Sequence, residues 1–416
     1  MIHKDLVIIG GGSAGLAAAL EAKKQGIEDI IILERENTLG GILQQCIHNG
    51  FGLHTFKEQL SGPEYAQRFI DEVINEKIEY KLNTFVSKIT ADKKVYYTNQ
   101  KEGAVCIQAK AIINATGCIE RSAGAIQLEG ARVSGIMSAG VAQKYMNIEG
   151  YMIGRKVFIL GSGDIGLIMA RRCKLEGAEV LGVAEIMPYS NGLNRNIVQC
   201  LNDFDIPLYL SHTVKKVIGK DRVEKIVITK VNDKMEYIGG SEIEFECDTL
   251  ILSVGLIPYN SLLENAGVKL NLKTKGIDVD NNYQGSIEGI FSCGNALHVH
   301  DLVDFVTKEA IIAAQGAAKY IKNQIKVDSK YYNCVPKNGI SYIVPQKFSL
   351  DDVNDIEFKF RVNKPFDVCK IIIKNDDKII KTINKLYLLP AEMEVVKVNK
   401  DLFVDKFDNL SIEVEE

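Results

Sequence analysis

The chain has 416 residues, of which 46% are hydrophobic and 25% are charged. A chain of this size forms two or three domains with a sizeable core, which excludes a small disulfide-stapled or disordered protein. Lysine and arginine total 50, aspartate and glutamate total 54, and the formal charge is −4. This balance disfavours nucleic acid as a partner.

Membrane and metal signals are both weak. No run reaches the ~18 consecutive apolar residues of a membrane helix. The chain enters a strand-like segment at Leu6 without a signal-peptide layout, so we expect a cytoplasmic protein with no transmembrane segment. The nine cysteines are odd in number and none forms a CxxC pair, so the sequence predicts no metal site.

The first glycine-rich loop follows an apolar strand and precedes an alanine-rich helix predicted over 16–25. It places glycine at positions 10, 12 and 15, and Glu34 ends the next strand 19 residues later. In this pattern the glycines allow a tight turn, close approach of a pyrophosphate and helix–strand packing, and the acid binds ribose hydroxyls. The sequence therefore predicts a dinucleotide site.

The same pattern recurs 151 residues later, where residues 158–170 repeat residues 7–19. Gly161, Gly163 and Gly166 form the second loop before a helix predicted over 167–176, and Glu185 again stands 19 residues after the third glycine. A carboxylate there repels a 2′-phosphate, and no Lys or Arg follows it before Arg195. The second loop is therefore predicted to bind NAD(H) rather than NADP(H).

The later part of the chain first returns to α/β patterns and then changes composition. A strand over 249–255, a strand over 289–294 and a helix over about 302–322 are predicted. Only one of the 35 glycines, Gly339, lies beyond residue 327. Three β-rich segments follow, which favours an all-β domain: 340–344, 356–362 and 368–374.

These patterns predict an α/β fold with two Rossmann-like dinucleotide-binding domains, the second inserted into the first, and a small C-terminal all-β domain. The first dinucleotide domain is assigned to residues 1–120 and 280–325. The inserted domain is assigned to residues 151–260 and the β domain to residues 327–416.

Several motifs together resemble the pyridine nucleotide-disulfide oxidoreductase class of flavoproteins over about residues 1–325. They are the two glycine loops, the strand ending Asn114–Gly117, and the segments 254–258 and 290–295. The resemblance implies FAD on the first loop and NAD(H) on the second, in an FAD-containing oxidoreductase. The implied FAD residues are Gly10, Gly12, Ser13, Ala14, Gly15, Glu34, Arg35, Gly41, Ala115, Thr116, Gly117, Gly294 and Asn295. The implied NAD residues are Gly161, Gly163, Asp164, Ile165, Gly166, Glu185 and Gly255. Asn295 stands where the family carries an acid that holds the flavin ribityl chain.

A closer similarity is to flavoproteins that accompany anaerobic glycerol-3-phosphate dehydrogenase, relatives of sarcosine oxidase alpha and hydrogen cyanide synthase subunits. It is carried by the segments 40–54, 161–172, 252–260 and 294–306. It implies an electron-transfer subunit that works with a dehydrogenase subunit and an iron–sulfur or cysteine-bearing protein. The direction of electron flow, the physiological donor or acceptor, a homo-oligomeric state and the role of the β tail are left open.

Cys46 and His48 are the candidate catalytic residues. Cys46 lies in a loop that the family places near the flavin, but it has no second thiol in a CxxxxC pair, so ordinary disulfide reduction is disfavoured. The alternatives are a stand-alone NADH-dependent thiol, disulfide or peroxide reductase that uses Cys46, a soluble NADH oxidase, or Cys46 as a buried hydrophobe. Asp301, just before the late helix, is interpreted as its N-cap.

Overall fold

The computed structural model describes residues 2–325, 329–351, 353–403 and 408–416. These residues form two compact units. The first unit contains Met1–Cys118 and Pro258–Glu416, and the second contains Ile119–Ile257. The predicted boundary near residue 327 falls at residues 326–328, outside the described residues.

The first segment of the first unit builds most of a seven-stranded sheet. Six strands of this segment belong to that sheet: β1 (Ile2–Ile9), β2 (Ile30–Leu33), β5 (Glu79–Lys81), β6 (Phe85–Ile89), β7 (Lys94–Asn99) and β8 (Gly103–Asn114). The strands β3 (Asn49–Phe51) and β4 (Leu60–Ser61) pair with each other, and the helices of the segment are α1 (Ser13–Lys24) and α2 (Gly62–Asn75). The buried alanines of α1 have small side chains, which lets this helix pack closely on its neighbours. Ser61 and Glu64 form a capping box that starts α2.

The elements from residue 118 to residue 258 belong to the second unit or to the points where the chain enters and leaves it. They are β9 (Cys118–Glu120), β10 (Ile136–Ser138), α3 (Ala139–Asn147), β11 (Lys156–Leu160), α4 (Asp164–Leu175), β12 (Glu179–Glu185), α5 (Asn194–Cys200), β13 (Leu208–Leu210), β14 (His212–Gly219), β15 (Val223–Lys230), β16 (Ile243–Glu246), β17 (Thr249–Leu252) and β18 (Leu256–Pro258). A parallel sheet has the order β10-β17-β11-β12-β13, and β14, β15 and β16 form a separate antiparallel sheet.

The chain then returns to the first sheet. It forms α6 (Ser261–Asn265), β19 (Ile290–Ser292) and α7 (Val303–Ile321). Strand β19 pairs in parallel with the end of β8, and α7 packs beside α1. The return strand and the late helix therefore lie where the sequence predicts them.

The last segment of the first unit consists of strands with one short 3-10 helix. The strands are β20 (Tyr331–Pro336), β21 (Ile340–Val344), β22 (Lys347–Ser349), β23 (Asp355–Val362), β24 (Cys369–Asn375), β25 (Lys378–Lys385), β26 (Glu394–Asn399) and β27 (Asn409–Glu415). They form one five-stranded and one three-stranded sheet around a separate apolar core that includes Phe348, Phe358 and Phe360. This segment is called the C-terminal β segment below.

Strand register brings the glycine loops to the edges where strands end. In the first unit Ile9 is level with Leu33 and Asn114, and Ser292 is level with Asn114. The residues that follow these strands therefore meet at one edge of the sheet, where ligands bind in open α/β sheets. In the second unit Leu160 is level with Ala184 and with Leu252 in the same way.

Within the described residues, no helix combines the length and the apolar character needed to cross a membrane.

Candidate functional site

The first glycine loop has a backbone that only glycine accommodates at its turn. Gly10 has φ +103°, and a Cβ added there would lie 2.4 Å from the carbonyl oxygen of Ala115. A Cβ at Gly15 would lie 1.8 Å from the carbonyl oxygen of Gly10. The first and third glycines are therefore required by the approach of α1 to the strand ends.

The middle glycine borders open space instead of backbone. A Cβ at Gly12 would meet nothing nearer than the Cα of Gly41, at 3.9 Å. Ser13 and Ala14 open α1, whose first turn has no acidic residue and whose N-cap, Gly12, makes no side-chain hydrogen bond. Backbone N–H groups and the positive end of the helix dipole thus border a cradle that fits a pyrophosphate.

Glu34 is buried behind this loop. Its Oε2 accepts a hydrogen bond from the Gly11 N–H at 2.6 Å, and its Oε1 accepts one from the Glu36 N–H at 2.8 Å. Each carboxylate oxygen keeps acceptor capacity that suits ribose hydroxyls. Arg35 is exposed and lies 3.3 Å from the Glu36 carboxylate.

Segments distant in sequence meet around the first loop. A Cβ at Gly41 would lie 3.0 Å from the Cα of Gly12, and a Cβ at Gly294 would lie 2.9 Å from the Ala14 Cβ. Ala115 is buried against Gly10, and Gly117 has φ +71°. The structure therefore brings the predicted residues of segments 10–15, 41, 115–117 and 294 to one place.

Two polar side chains next to this place are held by the protein itself. Thr116 donates its hydroxyl to the carbonyl of Tyr259 at 2.8 Å. The amide oxygen of Asn295 accepts a hydrogen bond from the His300 N–H at 3.0 Å, and its Nδ2 lies 3.7 Å from the Cys118 Sγ. Asn295 is therefore oriented by the protein itself and carries no charge.

The second loop repeats this geometry. Gly161 has φ +98°, and a Cβ there would lie 2.0 Å from the carbonyl oxygen of Ser253. A Cβ at Gly166 would lie 2.7 Å from the carbonyl oxygen of Gly161, whereas one at Gly163 would meet nothing nearer than 3.5 Å. Gly255 is exposed with φ +101° and follows Ser253, as Gly117 follows Ala115.

Glu185 also repeats the role of Glu34, with one hydroxyl added. Its Oε2 accepts hydrogen bonds from the Ser162 N–H at 3.0 Å and the Ser162 hydroxyl at 2.7 Å. Its Oε1 accepts one from the Met187 N–H at 3.0 Å. The carboxylate is buried and held at the end of β12.

The two loops differ in the first turn of the helix that follows. Asp164 begins α4, and its Oδ1 accepts hydrogen bonds from the Leu193 N–H at 2.8 Å and the Asn196 side chain at 2.6 Å. Ile165 beside it is half-buried. A carboxylate here opposes an anion at the helix N-terminus, so the second cradle attracts phosphate less than the first.

Cys46 is a half-buried cysteine. It follows a short 3-10 helix over Gly41–Gln45, and its Sγ donates to the carbonyl of Ile42 at 3.3 Å. Burial raises the pKa of the Cys46 thiol to about 12, so the thiol is protonated at neutral pH. His48 is half-buried and lies 5.0 Å from the Phe51 ring, centroid to centroid. A catalytic role for either residue stays a prediction.

The N-cap interpretation of Asp301 is wrong. Helix α7 begins at Val303 with Leu302 at its N-cap, and that cap makes no side-chain hydrogen bond. Asp301 instead pairs with Arg361 of the C-terminal β segment and accepts the Met393 N–H at 2.7 Å. The carboxylate therefore binds the β segment. A local capping pattern cannot predict this contact, because its partners are distant in the sequence.

The sequence patterns also missed a buried charged cluster beside Gly294. Glu309 of α7, His298 of the loop before it and Lys359 of the C-terminal β segment are almost fully buried. The signal in the sequence is the alternation Glu357-Phe358-Lys359-Phe360-Arg361, which predicts a strand with one charged face. Such a face is usually solvated, so the pattern alone does not identify a buried cation.

Comparison with a family model identifies the family of this chain. Residues 4–319 match the model described as "Pyridine nucleotide-disulphide oxidoreductase". The chain belongs to this family. It is an NAD(P)H-dependent flavin oxidoreductase, and the cofactors of the family are FAD and NAD(P)H. The predicted enzyme class and the predicted use of FAD with a nicotinamide dinucleotide are confirmed.

Individual relatives are distant. The chain is 26% identical to mitochondrial dihydrolipoyl dehydrogenase of Caenorhabditis elegans over 375 residues, covering 82% of this chain and 71% of the relative. It is 26% identical to "NAD(P)H sulfur oxidoreductase (CoA-dependent)" of Pyrococcus abyssi over 313 residues, covering 73% of this chain and 64% of the relative. The thioredoxin reductase of T. acidophilum has a TM-score of 0.63 at 23% identity, covering 77% of this chain and 99% of that one, which shows a shared fold.

Proposed function

We propose that the protein is an FAD-dependent oxidoreductase that transfers a hydride between NAD(H) and FAD, in which the first unit holds FAD and the inserted second unit binds NAD(H). The observation that carries the proposal is the pair of matched loops, each with an open middle glycine and a carboxylate behind it. FAD, when bound, supplies a centre that accepts a hydride from the nicotinamide. The protein supplies binding, orientation and a fixed electrostatic environment.

The residues of the first loop have distinct roles in this proposal. The N–H groups at the start of α1 donate to the FAD pyrophosphate, and Glu34 accepts hydrogen bonds from ribose hydroxyls. Asn295 offers its amide to the flavin side chain in place of the acid found in the family. The absence of an acid in the first turn of α1 favours a tightly held cofactor.

Glu185 is proposed to select NADH over NADPH. Its carboxylate is anchored by three hydrogen bonds and would face a 2′-phosphate with like charge. The test is stopped-flow bleaching of the flavin band with each nucleotide at equal concentration. We expect faster bleaching with NADH; equal or faster bleaching with NADPH would contradict the assignment.

The flavin is proposed to exchange electrons with another polypeptide, in either direction: a dehydrogenase subunit together with an iron–sulfur or cysteine-bearing protein. No two of the nine cysteines have the CxxxxC spacing of a redox disulfide that could exchange electrons with the flavin. The thiol of Cys46 is protonated at neutral pH. The resemblance to flavoproteins that accompany glycerol-3-phosphate dehydrogenase also supports a partner.

A second candidate is a thiol, disulfide or persulfide reductase that uses Cys46. The relative from Pyrococcus abyssi favours it through its name, which refers to sulfur and coenzyme A. Cys46 lies against the first turn of α2, because its carbonyl accepts the Gly62 N–H at 2.8 Å. This mechanism requires a thiolate, so the pKa of Cys46 would have to fall when ligands bind.

The Cys46→Ser variant separates the two candidates. If the flavin exchanges electrons with a partner, the isolated chain reduces dyes with NADH equally well with and without Cys46, and turnover of a carbon substrate appears only with its partner. Loss of coenzyme A disulfide or persulfide reduction in the variant, with dye reduction intact, would establish the second candidate. NADH oxidation by the isolated chain under air at about 1 to 1,000 per second would instead support an oxidase.

The protonation state of Cys46 is itself measurable. Below its pKa of about 12, the thiolate fraction rises about tenfold for each pH unit, so alkylation by iodoacetamide should keep accelerating up to at least pH 10. Peptide mapping resolves Cys46 from the other eight cysteines. A plateau in its alkylation rate near pH 7 would show a reactive thiolate and favour the second candidate.

A further inference from the structure

Strand β23 presents three charged side chains at alternate positions to the rest of the first unit. The Lys308 Nζ lies 2.5 Å from the Glu357 carboxylate, the Lys359 Nζ lies 2.7 Å from the Glu309 carboxylate, and Arg361 pairs with Asp301. The intervening Phe358 and Phe360 face the core of the C-terminal β segment. One strand therefore carries a ladder of ion pairs on one face and a hydrophobic core on the other.

The middle pair is the buried one. The side chain of Lys359 is 2% exposed and that of Glu309 is 0% exposed, whereas Lys308 is 48% exposed. The Lys359 ammonium also donates to the Tyr283 hydroxyl at 3.0 Å. A buried charge without a partner is very unfavourable, so each member of this pair depends on the other.

Glu309 connects its ion pair with Lys359 to the 294–300 segment. Its Oε1 accepts the Gly294 N–H at 2.9 Å, and its Oε2 lies 2.9 Å from the His298 Nε2 and 3.3 Å from the His300 Nε2. His300 in turn donates its N–H to the Asn295 side chain. The carboxylate thus contacts both ends of the 294–300 segment, which contains the residues assigned to FAD.

The protonation states agree with this arrangement. Burial alone would lower the pKa of Lys359, but the carboxylate of Glu309 outweighs it and the net pKa is raised. Burial alone would raise the pKa of Glu309, but Lys359 and the two histidines outweigh it and hold the pKa well below its usual range. Burial lowers the pKa of His298 to about 4, so its imidazole is neutral at pH 7.

The same cluster has the spacing of a metal site. Ligand atoms of His298, His300 and Glu309 lie within 4.8 Å of one another, and His298 Nδ1 and His300 Nε2 have no hydrogen-bond partner among the described residues. However, the Lys359 ammonium already contacts Glu309 Oε2, which such a metal would use. The lysine supplies the cation of this pocket.

We propose that Lys359, contributed by the C-terminal β segment, is a positioning residue for FAD that acts through Glu309. It fixes the charge and orientation of Glu309, which holds the Gly294 N–H and the two histidines. The β segment is then part of the flavin site although it lies outside the dinucleotide fold. The proposal rests on the FAD assignment of segment 294–295 and is independent of the identity of the electron acceptor.

The test compares Lys359→Met, Glu309→Gln and the double variant as purified full-length proteins. Dissociation constants for FAD come from flavin fluorescence, and reduction potentials come from dye equilibration. Lys359→Met should weaken FAD binding about tenfold or more, because a buried carboxylate is left unpaired. It should also disfavour flavin reduction about tenfold, a shift of about −30 mV for two electrons.

The double variant decides whether Lys359 acts through Glu309. With both charges removed, its FAD affinity and potential should return to within about threefold of the wild type, a coupling that a double-mutant cycle measures. Losses that multiply in the double variant would overturn the proposal and show a purely structural contribution of Lys359. This comparison also remains informative if Lys359→Met alone binds no FAD.

Two controls complete the design. Lys308→Met removes the neighbouring, exposed lysine of the ladder and should leave FAD affinity and potential unchanged; a loss equal to that of Lys359→Met would refute a specific role for Lys359. Elemental analysis of the wild type tests the alternative occupant. One equivalent of a divalent metal would overturn the assignment of Lys359 as the cation of the pocket.

Discussion

The two glycine loops have the same backbone and different electrostatics. Both place an uncrowded middle glycine before a helix and a buried glutamate behind it, but α1 starts without an acid whereas α4 starts with Asp164. An acid at a helix N-terminus lowers the affinity for an anion there by about 0.3–1 kcal/mol. Under the proposed assignment of FAD to the first loop and NAD(H) to the second, this difference favours a resident cofactor in one unit and an exchanging nucleotide in the other.

The loops also differ in what supports them. The first loop contacts Gly41 and Gly294, and Gly294 is tied to the C-terminal β segment through Glu309 and Lys359. The second loop is supported by a short segment of its own unit, where Ser162 and Asp164 accept the N–H groups of Asn191 and Leu193. The first loop is therefore supported by a buried ion pair, and the second loop is supported by hydrogen bonds to a nearby segment.

The largest expected effect comes from filling the two cradles. Gly12 and Gly163 both have an extended backbone that valine can adopt, and the valine side chain would project into the space proposed for pyrophosphate. We expect Gly12→Val to weaken FAD binding about 100-fold, or about 2.7 kcal/mol, and to purify colourless. Gly163→Val should keep FAD and lose rapid reduction by NADH. Absorbance spectra and stopped-flow traces measure both.

If Gly163→Val lost FAD and Gly12→Val kept FAD but lost rapid reduction by NADH, the two cofactors would have to be assigned to the opposite units. A yellow Gly12→Val protein with native FAD affinity would remove the first loop from the flavin site. Circular dichroism shows whether each variant is folded, so that loss of binding is not mistaken for unfolding.

An intermediate effect is expected at Glu185. Glu185→Gln removes the charge that opposes a 2′-phosphate, so the preference for NADH over NADPH should fall about tenfold, or about 1.4 kcal/mol. The ratio of kcat/KM values for the two nucleotides measures it. Glu179→Gln, at the exposed start of the same strand, is the matched control and should leave the ratio unchanged. An unchanged ratio in Glu185→Gln would mean that another residue sets the preference.

The smallest effect concerns the difference between the two helix starts. Asp164→Asn keeps the acceptor for Leu193 and removes the charge, so NADH should bind about two- to fivefold more tightly. Ser13→Asp makes the reciprocal change in the first loop and should weaken FAD binding by a similar factor. Dissociation constants from fluorescence titration measure both. Changes of the opposite sign would show that the helix dipole does not distinguish the loops.

Motifs whose residues are close together in the chain could be predicted from the sequence alone. Each glycine loop is a strand, a turn and a helix in direct succession, and the steric demand for glycine at Gly10 and Gly161 is local. The carboxylates of Glu34 and Glu185 follow at a fixed spacing because a helix and one strand separate them from the loop. The family, the enzyme class and the use of FAD and a nicotinamide dinucleotide were implied by the resemblance that these loops carry together with segments 114–117, 254–258 and 290–295.

Which charged side chains are buried could not be predicted from the sequence, because burial depends on how distant segments pack. Lys359 lies 50 residues from Glu309 in the chain, and Arg361 lies 60 residues from Asp301. On its own strand Lys359 has the pattern of a solvated residue, and Asp301 has the position of a helix cap. Their pairing depends on how the C-terminal β segment packs against α7 and the loop before it. Burial is a property of packed surfaces, so no local pattern of residue types specifies it.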